Sequence, residues 1–132
     1  MPQTNRFYHA ATSLQIGKWR HLIPFLRLSN KVQNRLKQTP GYVDHSLRAN
    51  FWTLTFRTYT VYEDYEALES FLYSPEHSEA MRKMGGWSGP ESRSLQWISE
   101  SREIDWDDAE RRLAETPTYF EKQARARAQA SH

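Results

Sequence analysis

The chain has 132 residues, which suits one domain with one modest core, and 14% of it is aromatic, so a few large rings carry much of the burial. It contains no cysteine, which removes disulfides, thiolate nucleophiles, Cys-ligated zinc and iron–sulfur clusters from its chemistry. Net charge is only +2, yet residues 1–57 sum to +8, residues 58–121 to −9 and the tail from Lys122 to +3.

That split suits complementary elements of one fold better than a nucleic-acid surface, so nucleic acid is not the expected partner. The N-terminus MPQTNRFYHAATSLQ has no apolar signal-peptide core, and LIPFL is far too short to span a bilayer. A soluble, cytoplasmic protein without a membrane span is expected.

In chain order, FYHAATSLQIGKW alternates at Tyr8, Ala10, Thr12, Leu14 and Ile16 and reads as a first strand. HLIPFLRLSNKVQNRLKQ carries Leu22, Phe25, Leu28, Val32 and Leu36 at helical spacing, with Pro24 in the first turn. Its Arg27, Lys31 and Arg35 form a basic stripe. TPGY at 39–42 ends that helix at Gly41. YVDHSLR is the second strand and FWTLTFRTYTVY the third, dense in aromatic and β-branched residues.

The link Arg48-Ala49-Asn50 between those strands predicts an antiparallel hairpin. Asp64 is an N-cap for EDYEALESFLY, and Ser74-Pro75 restarts the helix with Ser as cap and Pro at its first position. Residues 85–90, GGWSGP, read as a loop, and SRSLQWIS as the fourth strand.

The order β-α-β-β-α-β is the ferredoxin-like plan, an α+β fold. We expect this domain over residues 1–104 and a helical extension over 105–132. In that extension Asp105 caps a helix with Trp106, Ala109 and Leu113 as its apolar stripe, and the Ala/Arg/Gln tail has little apolar face. The third strand is apolar on both sides, with Trp52, Leu54 and Phe56 pointing one way and Phe51 and Tyr59 the other. One helical layer cannot bury both sides, which predicts a homodimer with two sheets face to face.

Several runs together resemble a known family. TYTVYEDYEAL followed by SPEHSEAM, the QTPGYV turn and the SLQWIS strand resemble the corresponding segments of antibiotic-biosynthesis-monooxygenase-like proteins over roughly residues 8–100. Spheroidene monooxygenases look like another relative. The resemblance implies a dimeric α/β barrel and a small cofactor-independent monooxygenase acting on an aromatic or polyene molecule. It also implies the alternative of a non-catalytic dimeric module for a small apolar ligand or haem. The sequence departs from the family at Tyr62, which stands where the third-strand motif has Trp. Against the haem-degrading branch, Phe71 falls at the expected Trp and Met81 at the expected haem-ligating His, so haem is the secondary cofactor reading.

His77 lies in the first turn after Ser74-Pro75 and shares a face with Ala80, Met81 and Met84. The helix N-terminus disfavours its imidazolium, so it is expected neutral and inward, either as a catalytic base or as a packed histidine with one partner. Arg57 in an apolar strand needs an acidic partner, a substrate phenolate or carboxylate on one reading and an intersubunit carboxylate on the other. Arg57 and Tyr59 complete the expected catalytic set. Trp52, Tyr62, Phe71, Met81 and Trp87 are the expected substrate-binding residues, Trp87 serving either to close over a pocket or to anchor a loop. No P-loop, GxGxxG, GxSxG or HExxH run is present, and no metal is expected.

Overall fold

The computed structural model describes residues 6–130. Residues 1–5 of the N-terminal run, Ser131 and His132 lie outside the described residues. The elements are β1 (Phe7–Gln15), a 3₁₀ turn (Trp19–His21), α1 (Leu22–Lys37), β2 (Tyr42–Asn50), β3 (Thr55–Tyr62), α2 (Tyr65–Leu72), α3 (Pro75–Trp87), β4 (Arg93–Ser99), α4 (Trp106–Glu115) and α5 (Tyr119–Ala130). The sheet runs β2-β3-β1-β4 with every neighbouring pair antiparallel. This is the ferredoxin-like order expected from the sequence.

The helix starts follow from their caps. The Asp64 carboxylate accepts from the Ala67 amide at 2.8 Å, the Ser74 hydroxyl from the His77 amide at 3.3 Å, and the Asp105 carboxylate from the Asp108 amide at 3.1 Å. α1 ends at Lys37 with Gln38 as its cap, not at Gly41 as expected; Gly41 sits in the following turn, where the Tyr42 amide donates to the Thr39 carbonyl at 3.1 Å, with φ +88°, a conformation open to glycine at no steric cost. A Cβ there would stand 2.5 Å from the Ala67 methyl, so the site also needs the missing side chain to let α2 approach.

Alternation along the strands sorts the core into two sides. On one side, Phe56 packs with Ile16, Phe25, Leu54 and Met84, and Tyr62 packs with Leu36, Ala67, Leu68 and Phe71. These residues join the sheet to α1, α2 and α3. On the other side, Ala11, Tyr59, Val61 and Trp97 pack against Ala109 and Leu113 of α4. Burying Leu113 alone stabilises this contact by roughly 2 kcal/mol.

The second apolar face therefore finds its cover within the chain. The sequence reading gave that face to a partner's sheet, but α4 lies across it, so an uncovered sheet face gives no reason for a dimer.

Two boundaries differ from expectation. The hairpin turn lies at Phe51–Leu54, not at 48–50, because the Asn50 side-chain oxygen accepts from the Trp52 and Thr53 amides at 3.0 and 3.3 Å. Leu54 then adopts φ 54°, a strained value for leucine, held by the Ile16 amide donating to its carbonyl at 2.9 Å. Trp52 consequently stands at the tip, 95% exposed, and is not among the residues that line the cleft described below. Secondly, residues 85–87 continue α3, whose last turn closes by the Ser88 amide donating to the Met84 carbonyl at 2.9 Å.

Candidate functional site

The sheet register sets a row of polar residues beside α4. Arg48 pairs with Arg57, Arg57 with Ser13 and Ser13 with Arg93, straight across all four strands. Like charges directly opposite on a sheet destabilise it unless an anion stands between them. Glu110 of α4 supplies one: its Oε1 accepts from Arg48 at 3.0 Å and from Arg57 at 2.9 Å. Arg57 Nε also reaches the Ser13 hydroxyl at 3.5 Å. Arg93 donates to the Leu113 and Thr116 carbonyls at 3.3 and 3.1 Å, capping the C-terminal end of α4 where cations are favoured. Its other arm pairs with Glu91 at 3.2 Å.

Around this row opens a cleft of about 560 Å³. Gln15, Asn50, Thr53 and Thr55 form its wall at the hairpin, and Leu113 and Ala114 its wall on α4. The volume falls within the range of small-molecule sites. Its chemistry is that of an anion acceptor: guanidiniums present paired N–H donors to carboxylate or phenolate oxygens, and hydroxyls and amides surround them.

Behind the cleft lies a buried network. His9 and Tyr59 are 2% and 1% exposed, and His9 Nδ1 lies 2.6 Å from the Tyr59 hydroxyl. His9 Nε2 lies 2.7 Å from the Ser101 carbonyl oxygen. That carbonyl can only accept, so Nε2 carries the proton and Nδ1 accepts from the phenol. Burial lowers the His9 pKa and raises that of Tyr59. His9 stacks on Trp97 with centroids 5.4 Å apart, and Tyr59 meets Trp97 and Trp106 edge-on at 5.4 and 5.6 Å. The Trp106 indole N–H donates to the Ser46 hydroxyl at 2.9 Å. This network ties the segment after β4 to the sheet and so holds α4, with Glu110, over the arginine row.

The structure gathers some of the expected residues and separates others. Arg57 lines the cleft, and Tyr59 is fully buried one row behind it. His77 lies on the opposite side of the sheet, where its Nδ1–H donates to the Leu72 carbonyl at 3.1 Å and its ring meets Phe71 edge-on at 5.0 Å. Burial lowers its pKa, so it is the neutral, inward histidine expected, yet it does not face Arg57. Tyr62 and Phe71 are core residues with ring centroids 6.3 Å apart, and burial raises the Tyr62 pKa. Met81 is 55% exposed, which overturns its place on the inward face of α3. Trp87 ends α3 and stacks on His21 at 5.9 Å.

Arg48, Arg93, Glu110 and His9 were missed. The signal for Arg48 was the hairpin register, once Asn50 is read as the turn's first residue. Among the described residues no group of three or more His, Asp or Glu side chains could hold a metal ion. The haem alternative is not favoured by its nearest donors, since Met81 is mostly in solvent and the His77 ring lies against Phe71. No helix among the described residues is long and apolar enough to cross a membrane.

Solved structures share this fold at low sequence identity. A candidate antibiotic biosynthesis monooxygenase from Nitrosomonas europaea aligns with a TM-score of 0.63 and 10% identity, covering 75% of this chain and 94% of that one. SnoaB, a cofactor-independent oxygenase from Streptomyces nogalater, aligns at 0.54 and 16%, covering 76% and 96%. A conserved protein from Methanosarcina mazei aligns at 0.62 and 12%, covering 72% and 94%. The resemblance to the antibiotic-biosynthesis-monooxygenase-like fold is thus borne out as a likeness of fold. No curated protein matches the chain. A family model matches residues 20–123, from the 3₁₀ turn through α4 into α5, and the chain belongs to that family, described as Domain of unknown function (DUF3291).

Proposed function

We propose that this protein is a small cofactor-independent monooxygenase that takes an aromatic or polyene molecule with an acidic oxygen, a phenol, enol or carboxylate, in the arginine cleft. The observation that carries this reading is the pair Arg48 and Arg57, opposed on one sheet row and bridged among the described residues by the partly exposed Glu110. A substrate oxyanion can take over the guanidinium contacts while the released Glu110 carboxylate accepts the substrate's proton. The resulting carbanion, stabilised through its oxygen by the guanidiniums, can reduce dioxygen. An activated methylene and O₂ then give a hydroperoxide, which collapses to a carbonyl and water. The electrons come from the substrate, so the balance needs no flavin or metal.

The likeness of fold to an oxygenase of this kind supports the reading. His77 cannot act on a substrate held in this cleft. A catalytic role for it belongs to a different ligand, bound between the sheet and α2–α3. Oxygen uptake with enolisable polycyclic phenols, followed by mass analysis of the product, tests the proposal. Uptake that adds one oxygen atom and is lost in Arg57→Met is the expected result; unchanged uptake in that variant would sink it.

A second reading is favoured by the ion pairs themselves. Glu110 offsets only one of the two guanidinium charges of Arg48 and Arg57, and Arg93 is tied to the end of α4, so the cleft keeps a fixed positive charge suited to holding an anion without turning it over. Saturable binding with no oxygen consumption is the signature of that binding module.

A further inference from the structure

At one pole of the sheet, where β1 ends and the β2–β3 hairpin turns, aromatic and aliphatic side chains stand in solvent. Trp52 at the hairpin tip is 95% exposed, Phe51 51%, Trp19 63% and Ile23 58%. Their elements are locked together. The Ile16 amide donates to the Leu54 carbonyl, and Phe56 is held between Phe25 of α1 at 4.8 Å and Phe51 of the hairpin at 5.5 Å. Trp19, Ile23 and Leu26 fall at i, i+4 and i+7, one stripe along the 3₁₀ turn and α1. Turned slightly away from that stripe are Arg20 and Arg27, with Lys18 at the turn's start. All three are exposed, and none forms an ion pair among the described residues. Residues 15–27 and 51–54 contain no acid.

Large apolar side chains at a tip, flanked by unpaired cations in segments that carry no acid, match the chemistry of a membrane–water interface; Glu91, which the loop after α3 brings beside Gln15, is paired with Arg93. Tryptophan prefers the headgroup level, and lysine and arginine pair with lipid phosphates and anionic headgroups. A protein partner of opposite charge would need carboxylates set among apolar pockets. A bilayer needs only a protruding apolar rim and positive charge, and this pole has both.

We propose that this pole docks the protein on an anionic phospholipid surface, with Trp52 and Trp19 inserted at the headgroup level and Lys18, Arg20 and Arg27 against the lipid phosphates. Thr53, beside Trp52, also lines the arginine cleft, so docking would bring the cleft mouth to the surface where apolar anions partition.

Co-sedimentation of the full chain with vesicles of phosphatidylcholine alone, and of phosphatidylcholine mixed with phosphatidylglycerol, tests this, together with tryptophan emission. Binding to the mixed vesicles only, with blue-shifted emission and release by salt, is expected. Trp52→Ala, at a position exposed enough to leave the fold intact, should weaken binding roughly tenfold. Neutralising Lys18, Arg20 and Arg27 to glutamine together should weaken it on the order of a hundredfold. No partition into anionic vesicles overturns the proposal, as does equal partition of the wild type and both variants. Self-association that Trp52→Ala abolishes also overturns it, since the pole would then be a contact between copies of this chain. Anion binding in the cleft is measured without vesicles, so either reading can fail alone.

Discussion

Replacing Tyr59 by phenylalanine keeps the ring that packs between Trp97 and Trp106 and removes one oxygen. In the native network the phenol donates to His9 Nδ1 at 2.6 Å, and both residues are almost fully buried. His9 cannot recover by flipping, because its other nitrogen is committed to the Ser101 carbonyl at 2.7 Å. The variant therefore loses a hydrogen bond worth about 1 kcal/mol net and strands a buried acceptor, at about 1–3 kcal/mol more. A total near 2–4 kcal/mol corresponds to a fall in Tm of roughly 6–16 °C for a domain of this size. Urea unfolding read by tryptophan fluorescence gives the free energy, and hydrogen exchange of the amides at 100–106 shows whether the loss falls on the α4 docking segment. A variant within about 0.5 kcal/mol of wild type, with unchanged exchange there, would refute the claim that this network holds α4 to the sheet.

Other substitutions probe other levels. Gly41→Ala should cost more than about 2 kcal/mol in thermal unfolding, since it combines a left-handed backbone with a methyl pressed on Ala67; a neutral effect would mean that α2 shifts freely. Glu110→Gln should raise affinity for an aromatic carboxylate by roughly fivefold, a modest gain because the ion pairs are half exposed, as calorimetry would show; weaker binding would contradict displacement of Glu110. Burial lowers the pKa of His9, His45 and His77 from the usual 6.5. The unfolded chain then binds more protons, so this stability is fully present above that value and is lost as pH falls towards the folded-state pKa values. Unfolding midpoints should fall from pH 7 to pH 5, and in His9→Gln the fall should be smaller.

Most of the fold was legible because its signals are local. Asp64, Ser74 and Asp105 each cap the helix they precede, and Gly41 marks a turn that needs positive φ. The hairpin misled because FWTLTF alternates like a strand, while the feature that decides the turn is the Asn50 side chain bonding two amides ahead. That shift of the turn carried Trp52 out of the expected pocket. The same error hid the pairing of Arg48 with Arg57. The rest of the site is non-local: Ser13 meets Arg93 and His9 meets Ser101 only through the β1–β4 pairing, and Glu110 reaches the row from α4. The dimer argument rested on a sheet face with no cover, and the stripe Trp106, Ala109, Leu113 was visible without any sign of where it would dock. The exposed tryptophans could not be told from core residues, since composition is silent on burial.

The central claim is that Arg48 and Arg57 form an anion site. The most direct measurement is a titration with hydroxynaphthoate, followed through the Nε–H resonances of the arginines. The account predicts saturable shifts at Arg48, Arg57 and Arg93, lost in Arg57→Met while the fold is kept. Shifts confined to the surroundings of His77, Phe71 and Tyr62, with the three arginines unmoved, would contradict it and place the ligand on the other side of the sheet.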